Sequence, residues 1–116
     1  MSSEIINLLE LNALKSNVAH KIAVIITYRN KIISIGYNRN LKISSSNIIV
    51  FYEANKYSCH AERDAIRKIK DKSILKKCKI YIGRYKYGKI ETAEPCPMCA
   101  KLLQKYGISK VEKLKT

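Results

Sequence analysis

EPCPMCAKLLQKYGISKV, residues 94–111, decides how this chain is read. Pro97 suits the first turn of a helix, where its missing N–H costs nothing, and Gly107 supplies the stop. A helix is therefore expected over 97–106, with a short strand over 108–114. Cys96 falls at the cap of that helix and Cys99 one turn later. The first turn brings both sulfurs to one side, and the partial positive charge of a helix N-terminus favours thiolate over thiol. Two thiols so placed can clamp one cation.

The partner donors come from CHAERDAI, residues 59–66. Ala61, Ala65, Ile66 and Ile69 recur at helical spacing, so a second helix is expected over 60–74, begun by His60. A catalytic zinc takes three protein ligands of N and S type and keeps its fourth position for water. His60, Cys96 and Cys99 supply that set. Glu62, two residues after His60, can stand beside the metal-bound water without ligating and pass its proton to a substrate nitrogen. Each fragment alone has a plainer reading. A Cys-x-x-Cys can be a redox pair or half a zinc ribbon, a lone His is most often structural, and His-x-Glu can be a mere cap. The joint pattern H-x-E…P-C-x-x-C, with Pro95 before the first thiol, is the signature of zinc-dependent base deaminases.

The rest of the chain supplies a scaffold. A helix is expected over 3–16, with Ile5, Leu8, Leu9, Leu11 and Leu14 on one broad apolar face. KIAVIITY (21–28) reads as a buried strand, RNK as a tight turn, and IISIGYN (32–38) as the returning strand of a hairpin. Residues 39–58 are polar and irregular, with NIIVFYEAN inside them able to add a strand or helical turn. KCKIYIGRY (77–85) reads as a strand, and YGKIETAE (87–94) turns at Gly88 to run either back or onward. The β-α-β-α-β order of the second half favours a parallel arrangement with helices packed on a sheet. No repeat, low-complexity block or second domain is visible, so residues 1–116 are read as one zinc-binding domain.

Composition narrows the function classes. No basic n-region with an apolar run opens the chain, and no apolar stretch approaches the ~18 residues that span a bilayer. The expectation is a cytoplasmic protein without membrane association, in which four cysteines point to metal or catalysis more than to disulfides. The net charge of +14 favours phosphate-bearing partners such as nucleotides or nucleic acid. Yet 18 of the 23 cations are lysines, and Lys, Ile and Asn are together what an AT-rich coding sequence favours.

At this point the sequence resembles the cytidine/deoxycytidylate deaminase superfamily, which also includes tRNA adenosine deaminases and nucleic-acid-editing cytosine deaminases. The resemblance spans roughly residues 18–112. CHAERDAI is similar to the family's His-Ala-Glu helix start, EPCPMCAKLLQKYGISKV to its second zinc half-site, and KIISIGYN to the strand ending in Gly-aromatic-Asn. The match is closer to the deoxycytidylate and tRNA adenosine branches. The resemblance implies a three-layer α-β-α fold with a mixed sheet of four or five strands, the first two antiparallel and later ones parallel. It implies zinc on His60, Cys96 and Cys99, Glu62 as proton shuttle, Asn38 on the base or sugar, and the backbone amide of Ala61 beside the reacting centre. The stretch RYKYGKIETAE, residues 84–94, is longer than the family's usual connection.

Other residues are weighed as follows. Arg39, Lys42 and Lys56 lie in the loop before the zinc helix, where they can meet a 5′-phosphate or simply be solvated. His20 can reach a phosphate or cap a surface turn. Cys59 and Cys78 are read as packed thiols. Tyr85 and Tyr87 alternate along a strand and share a face, to pack or to stack on bases. Three functions follow: hydrolytic deamination of a cytosine nucleoside or nucleotide (dCMP or cytidine type), deamination of single-stranded nucleic acid or tRNA, or a non-catalytic zinc domain. At least a homodimer is expected.

Overall fold

The computed structural model describes residues 2–40, 58–112 and 114. Helix α1 (Ser2–Ala13) leads into the hairpin β1 (Lys21–Tyr28) and β2 (Lys31–Tyr37). Arg29 and Asn30 both take positive φ, 52° and 63°, the left-handed pair that a two-residue turn needs to match strand twist. A two-residue ribbon follows, β3 (Arg39–Asn40) pairing β4 (Ser58–Cys59). Helix α2 (Ala61–Arg67) comes next, then a 3-10 turn at Lys72–Lys77. Strand β5 (Lys79–Lys86), strand β6 (Lys89–Thr92), helix α3 (Pro97–Lys105) and strand β7 (Lys110–Glu112) complete the order. No helix among the described residues is long and apolar enough to cross a membrane.

The five-stranded sheet is mixed, as expected. Its order is β2-β1-β5-β6, with β7 beside β5. β1 pairs both β2 and β5 antiparallel, and β5 pairs β7 parallel. The open choice at Gly88 resolves toward return: Tyr87 and Gly88 take φ of 54° and 79°, and β6 runs back antiparallel along β5. β6 and β7 therefore share one side of β5, end to end. Tyr87 sits in the turn and is 86% exposed, so it does not share a strand face with Tyr85, which packs against the core.

Alternation along β1 builds two cores. Ala23 and Ile25 face α1 and its Ile5, Leu9 and Ala13. Val24 and Ile26 face the other layer, with Ala65, Ile66, Ile80, Ile82 and Leu103. Five consecutive residues of β1 are buried because helices cover both faces. Two helix expectations shift and the third holds. α1 inserts only its i, i+4, i+8 row, so Leu11 and Leu14 lie outward, 60% and 48% exposed. α2 stops at Arg67 instead of 74, because Asp71 accepts hydrogen bonds from Ser73 N and Oγ and seeds the 3-10 turn. α3 ends as expected: Gly107 at φ 75° lets Ile108 N donate to Leu103 O and Gly107 N to Gln104 O, with Leu103 and Ile108 in one core.

One close approach sets the position of α2. A Cβ on Gly36 of β2 would meet Ala61 O and Ala65 N at 2.5 Å each. Only a glycine lets the helix backbone lie directly on the strand.

Candidate metal centre and active site

Two helix starts meet at one end of the sheet. His60 is the residue before α2, in extended conformation at φ −75°, ψ 150°, and Cys96 is the residue before α3, at φ −66°, ψ 164°. Pro97 fixes the first turn of α3, so Cys99 N donates to Cys96 Sγ at 3.4 Å and both sulfurs face the same way. His60 Nδ1 lies 3.4 Å from Cys96 Sγ and 3.2 Å from Cys99 Sγ. The three ligand atoms fall within 4.8 Å of one another. A tetrahedral ion with Zn–S of ~2.3 Å and Zn–N of ~2.0 Å sets its S and N ligands about 3.5 Å apart. The separations found are within a few tenths of an ångström of that, so the three donors fit zinc.

The electrostatics point the same way. Burial, then the negative charges of Glu62 and Cys96, push the Cys99 thiol far up from its ordinary range. A buried thiol beside a carboxylate resists ionisation until a cation compensates the charge. Glu62 is 5% exposed. Burial pushes its carboxyl above the usual range, against the pull of its own backbone amide, His60 and Cys99. A carboxyl raised toward neutrality is suited to accepting and returning a proton.

A cavity of about 180 Å³ opens on these groups, lined by Ile22, Asn38, His60, Ala61, Glu62, Glu94 and Cys96. Asn38 is fixed in its wall by both halves of its amide. Its Oδ1 accepts from Ile22 N at 3.0 Å and its Nδ2 donates to His20 O at 2.6 Å. His60, Ala61, Glu62, Asn38 and Cys96 are thus brought together as the sequence suggested, with Cys99 behind them. Glu94 joins them and was missed, although its place two residues before Cys96 was a signal.

Arg39 is not brought to the cavity. Its guanidinium forks onto Asp64, with Nη1–Oδ2 and Nη2–Oδ1 both 3.0 Å, and lies over the Tyr37 ring. Of the two expectations for Arg39, a 5′-phosphate contact or a solvated loop, neither describes this pairing, in which a buried carboxylate on α2 takes the fork. Lys42, Lys56 and the NIIVFYEAN segment lie outside the described residues. His20 Nδ1 meets Arg84 Nη2. Cys78 is fully buried, as expected.

Asp64 itself went unnoticed in the sequence. It is fully buried, yet it accepts from Arg39, from Arg67 at 2.8 Å and from Tyr37 N at 3.2 Å, with Lys68 Nζ 3.3 Å away. The signal was an acid between Ala61 and Ala65 with cations three and four residues on. It ties α2 to β2 and β3, and so fixes the helix that starts with His60. Desolvation opposes its ionisation most strongly. The Arg39 hydrogen bond and charge, the Lys68 charge and the Tyr37 amide together outweigh it and hold the carboxyl below the usual range. Asp64→Asn should cost about 3 kcal/mol near pH 7, since half-lost buried pairs are expensive. Arg39 carries most of that, because Arg67 and Lys68 are roughly half in solvent and screened. A depressed pKa gives stability present above the unfolded value of ~3.9 and lost as pH falls through the folded value. Denaturant melts of both proteins should therefore converge below about pH 4; a gap unchanged at low pH would contradict the ion pairing.

A family model, the cytidine and deoxycytidylate deaminase zinc-binding region, matches residues 4–114. The deoxycytidylate deaminase of Homo sapiens is 33% identical over 97 residues, covering 77% of this chain and 49% of that protein. The deoxycytidylate deaminase of Mus musculus matches with the same figures. The chain thus spans about half the length of the curated relatives it matches. Among solved structures, the dCMP deaminase of cyanophage S-TIM5 in apo form superposes with a TM-score of 0.69 at 24% identity, covering 95% of this chain and 79% of that one. The structure of the cyanophage S-TIM5 enzyme in complex with dCMP and dUMP gives 0.65 at 22%, covering 94% and 76%. These two likenesses are of fold. Since His60, Glu62, Cys96 and Cys99 all fall inside the matched span and the donors fit the ion, the chain belongs to the cytidine and deoxycytidylate deaminase zinc-binding family, with zinc as its cofactor.

Proposed function

We propose that this protein is a zinc-dependent deaminase of a cytosine nucleotide, converting dCMP to dUMP with release of ammonia. The observation that carries the reading is Glu62: a buried carboxylate on the wall of a cavity that His60 and Cys96 also line, with Cys99 completing the donor set behind them. His60, Cys96 and Cys99 would hold zinc, which when bound supplies the Lewis acidity that makes water a nucleophile at neutral pH. Glu62 accepts one proton from the attacking water and delivers it to ring N3, then takes the second from the hydroxyl now bonded to C4 and delivers it to the departing amine, whose C–N bond breaks. Asn38, pinned by two hydrogen bonds, presents a rigid wall to the base or sugar, and Ala61 closes the floor. The described walls enclose a volume suited to a base, smaller than the ~300–1,000 Å³ typical of whole-ligand pockets. The sugar and phosphate would therefore extend beyond them.

The name of the curated relatives favours the deoxynucleotide over cytidine. Ammonia release from dCMP, deoxycytidine, cytidine and cytosine oligonucleotides tests this directly. At least a tenfold higher kcat/KM on dCMP is expected; equal rates on nucleoside and nucleotide would remove the phosphate preference. One feature favours a second reading, deamination of single-stranded nucleic acid: the β5–β6 turn carries the exposed Tyr87 with Lys86 over its ring and Lys89 beside it. Activity confined to oligonucleotides would select it. Intact Glu62 argues against a non-catalytic zinc domain. We further place the protein in the cytoplasm as at least a homodimer, the association supported by the exposed Leu11 on α1 and Leu14 just after it.

A further inference from the structure

Beside the zinc cavity stands an arginine that the deaminase chemistry does not use. Ile22 lines the cavity, and its register partner across β1 and β5 is Arg84. Register partners point to one face of a sheet, so the half-buried Arg84 leaves β5 on the cavity side, about 5 Å from Ile22. The same row ends on β6 in Glu91, the register partner of Arg84 on its other side. An acid directly opposite is the ready ion-pair partner in a sheet. The guanidinium takes neither Glu91 nor Glu94 of the cavity wall: the ion pairs among the described residues all converge on Asp64. Instead Arg84 Nη2 lies 2.5 Å from Nδ1 of the exposed His20, the residue before β1. Arg84 therefore leans toward β1, away from β6.

That lean carries it to the cavity mouth. His20 O accepts from Asn38 Nδ2 at 2.6 Å, and Asn38 lines the cavity. Guanidinium, imidazole and Asn38 amide thus stand in sequence along one margin. Arginine has only donors, so His20 Nδ1 is the acceptor. A single ring nitrogen occupies a fork whose geometry suits two anionic oxygens. Arg39 shows the alternative, its fork filled by both oxygens of Asp64. A cavity of about 180 Å³ holds a base, so whatever the base carries emerges at this margin.

We propose that Arg84, held at the cavity mouth by His20, recognises the 5′-phosphate of a mononucleotide whose base lies in the cavity, and so sets the preference for nucleotide over nucleoside. Two phosphate oxygens replace the imidazole nitrogen on the fork. His20 remains a positioning residue, its carbonyl holding Asn38. The inference rests on reading the cavity as the base site of a deaminase.

The zinc-loaded protein is titrated calorimetrically with dUMP and with deoxyuridine, and ammonia release from dCMP and deoxycytidine is followed in parallel. The wild type should bind dUMP at least about tenfold tighter than deoxyuridine, the size of one charge-assisted hydrogen bond. Arg84→Gln should bring the two within about twofold by weakening dUMP alone, and its KM for dCMP should rise far more than its kcat falls. Arg84→Lys, which keeps the charge and loses the fork, should fall between. His20→Glu places a carboxylate beside the guanidinium, as Asp64 stands beside Arg39, and should also erase the preference. Its exposed position keeps this arm decisive if Arg84→Gln does not fold. Lys101→Gln on α3, a control of equal charge loss, should match the wild type. Failure of dUMP to bind, a preference that survives Arg84→Gln and His20→Glu, an equal loss in Lys101→Gln, or deoxyuridine weakened as much as dUMP overturns the proposal. A uracil oligonucleotide that binds tighter than dUMP through Arg84 overturns it too, by moving the fork to a chain phosphodiester. An Arg84-dependent preference without ammonia from any substrate leaves this assignment standing and removes the deaminase reading. Ammonia from dCMP at unchanged KM in Arg84→Gln does the reverse.

Discussion

Glu62→Ala should leave zinc content and fold intact while lowering turnover by about 10²–10⁴-fold, the range attributable to a single general acid–base group. The variant removes a carboxyl that burial desolvates, so stability should hold or rise slightly. Its KM should change far less than its kcat, because Glu62 handles protons and does not form the pocket's rim. Glu62→Gln makes a sharper test, keeping the volume and one hydrogen-bonding oxygen while removing the proton site. The measurements are metal content, a melting curve and steady-state ammonia release. A Glu62→Gln protein turning over near the wild-type rate would falsify the assigned role; one that lost zinc would show that Glu62 is a ligand.

The second large effect is expected at the sulfurs. Cys99→Ser exchanges a buried donor for a hydroxyl that binds zinc poorly, leaving His60 and Cys96 unable to close the site. Ligands meet here only because α2 and α3 are folded, so binding free energy is folding free energy. Zinc at a thousandfold excess over its Kd stabilises a folded protein by about 4 kcal/mol, and the variant should forgo most of that. Because the metal-free thiol resists ionisation so strongly, zinc uptake by the wild type should release protons, detectable by calorimetry in two buffers. The variant should release fewer. Stoichiometric zinc in purified Cys99→Ser, with an unchanged response to chelator, would contradict the ligand assignment. Cys96→Ser should behave alike, with an added loss because Cys99 N would lose its partner at the start of α3.

The site was more legible in the sequence than the sheet. His60, Glu62, Cys96 and Cys99 announce themselves because their chemistry demands fixed spacing at helix starts, which survives as a local pattern. Pro97 and Gly107 bracket α3 for a similarly local reason. Strand direction is not local. The β-α-β-α-β order suggested parallel strands, and β7 does run parallel to β5, but the antiparallel insertion of β6 depends on a turn at Tyr87 and Gly88. Nothing in YGKIETAE distinguishes return from continuation until its positive φ values are seen. The pairing of Arg39 was hidden for a related reason. Its fate is decided by Asp64, 25 residues on, and Asp64 lies on the inward side of a helix where a charge is unexpected. The α1 stripe misled because leucine is tolerated on an outer surface, so Leu11 and Leu14 carry no directional information.

Gly36 has a consequence for how the shape of the cleft can change in this protein. With Ala61 and Ala65 seated against a bare strand backbone, the wall that carries His60 and Glu62 has no slack in either direction. Any side chain at that position would push α2 outward and carry the Glu62 carboxylate out of the wall it lines. Accommodating a bulkier base, or refusing one, must then be done by the opposite bank, where Asn38 and Glu94 face the opening. Change in the shape of the opening is thereby channelled to one margin of the cleft, while the margin that carries His60 and Glu62 stays in register with the sheet.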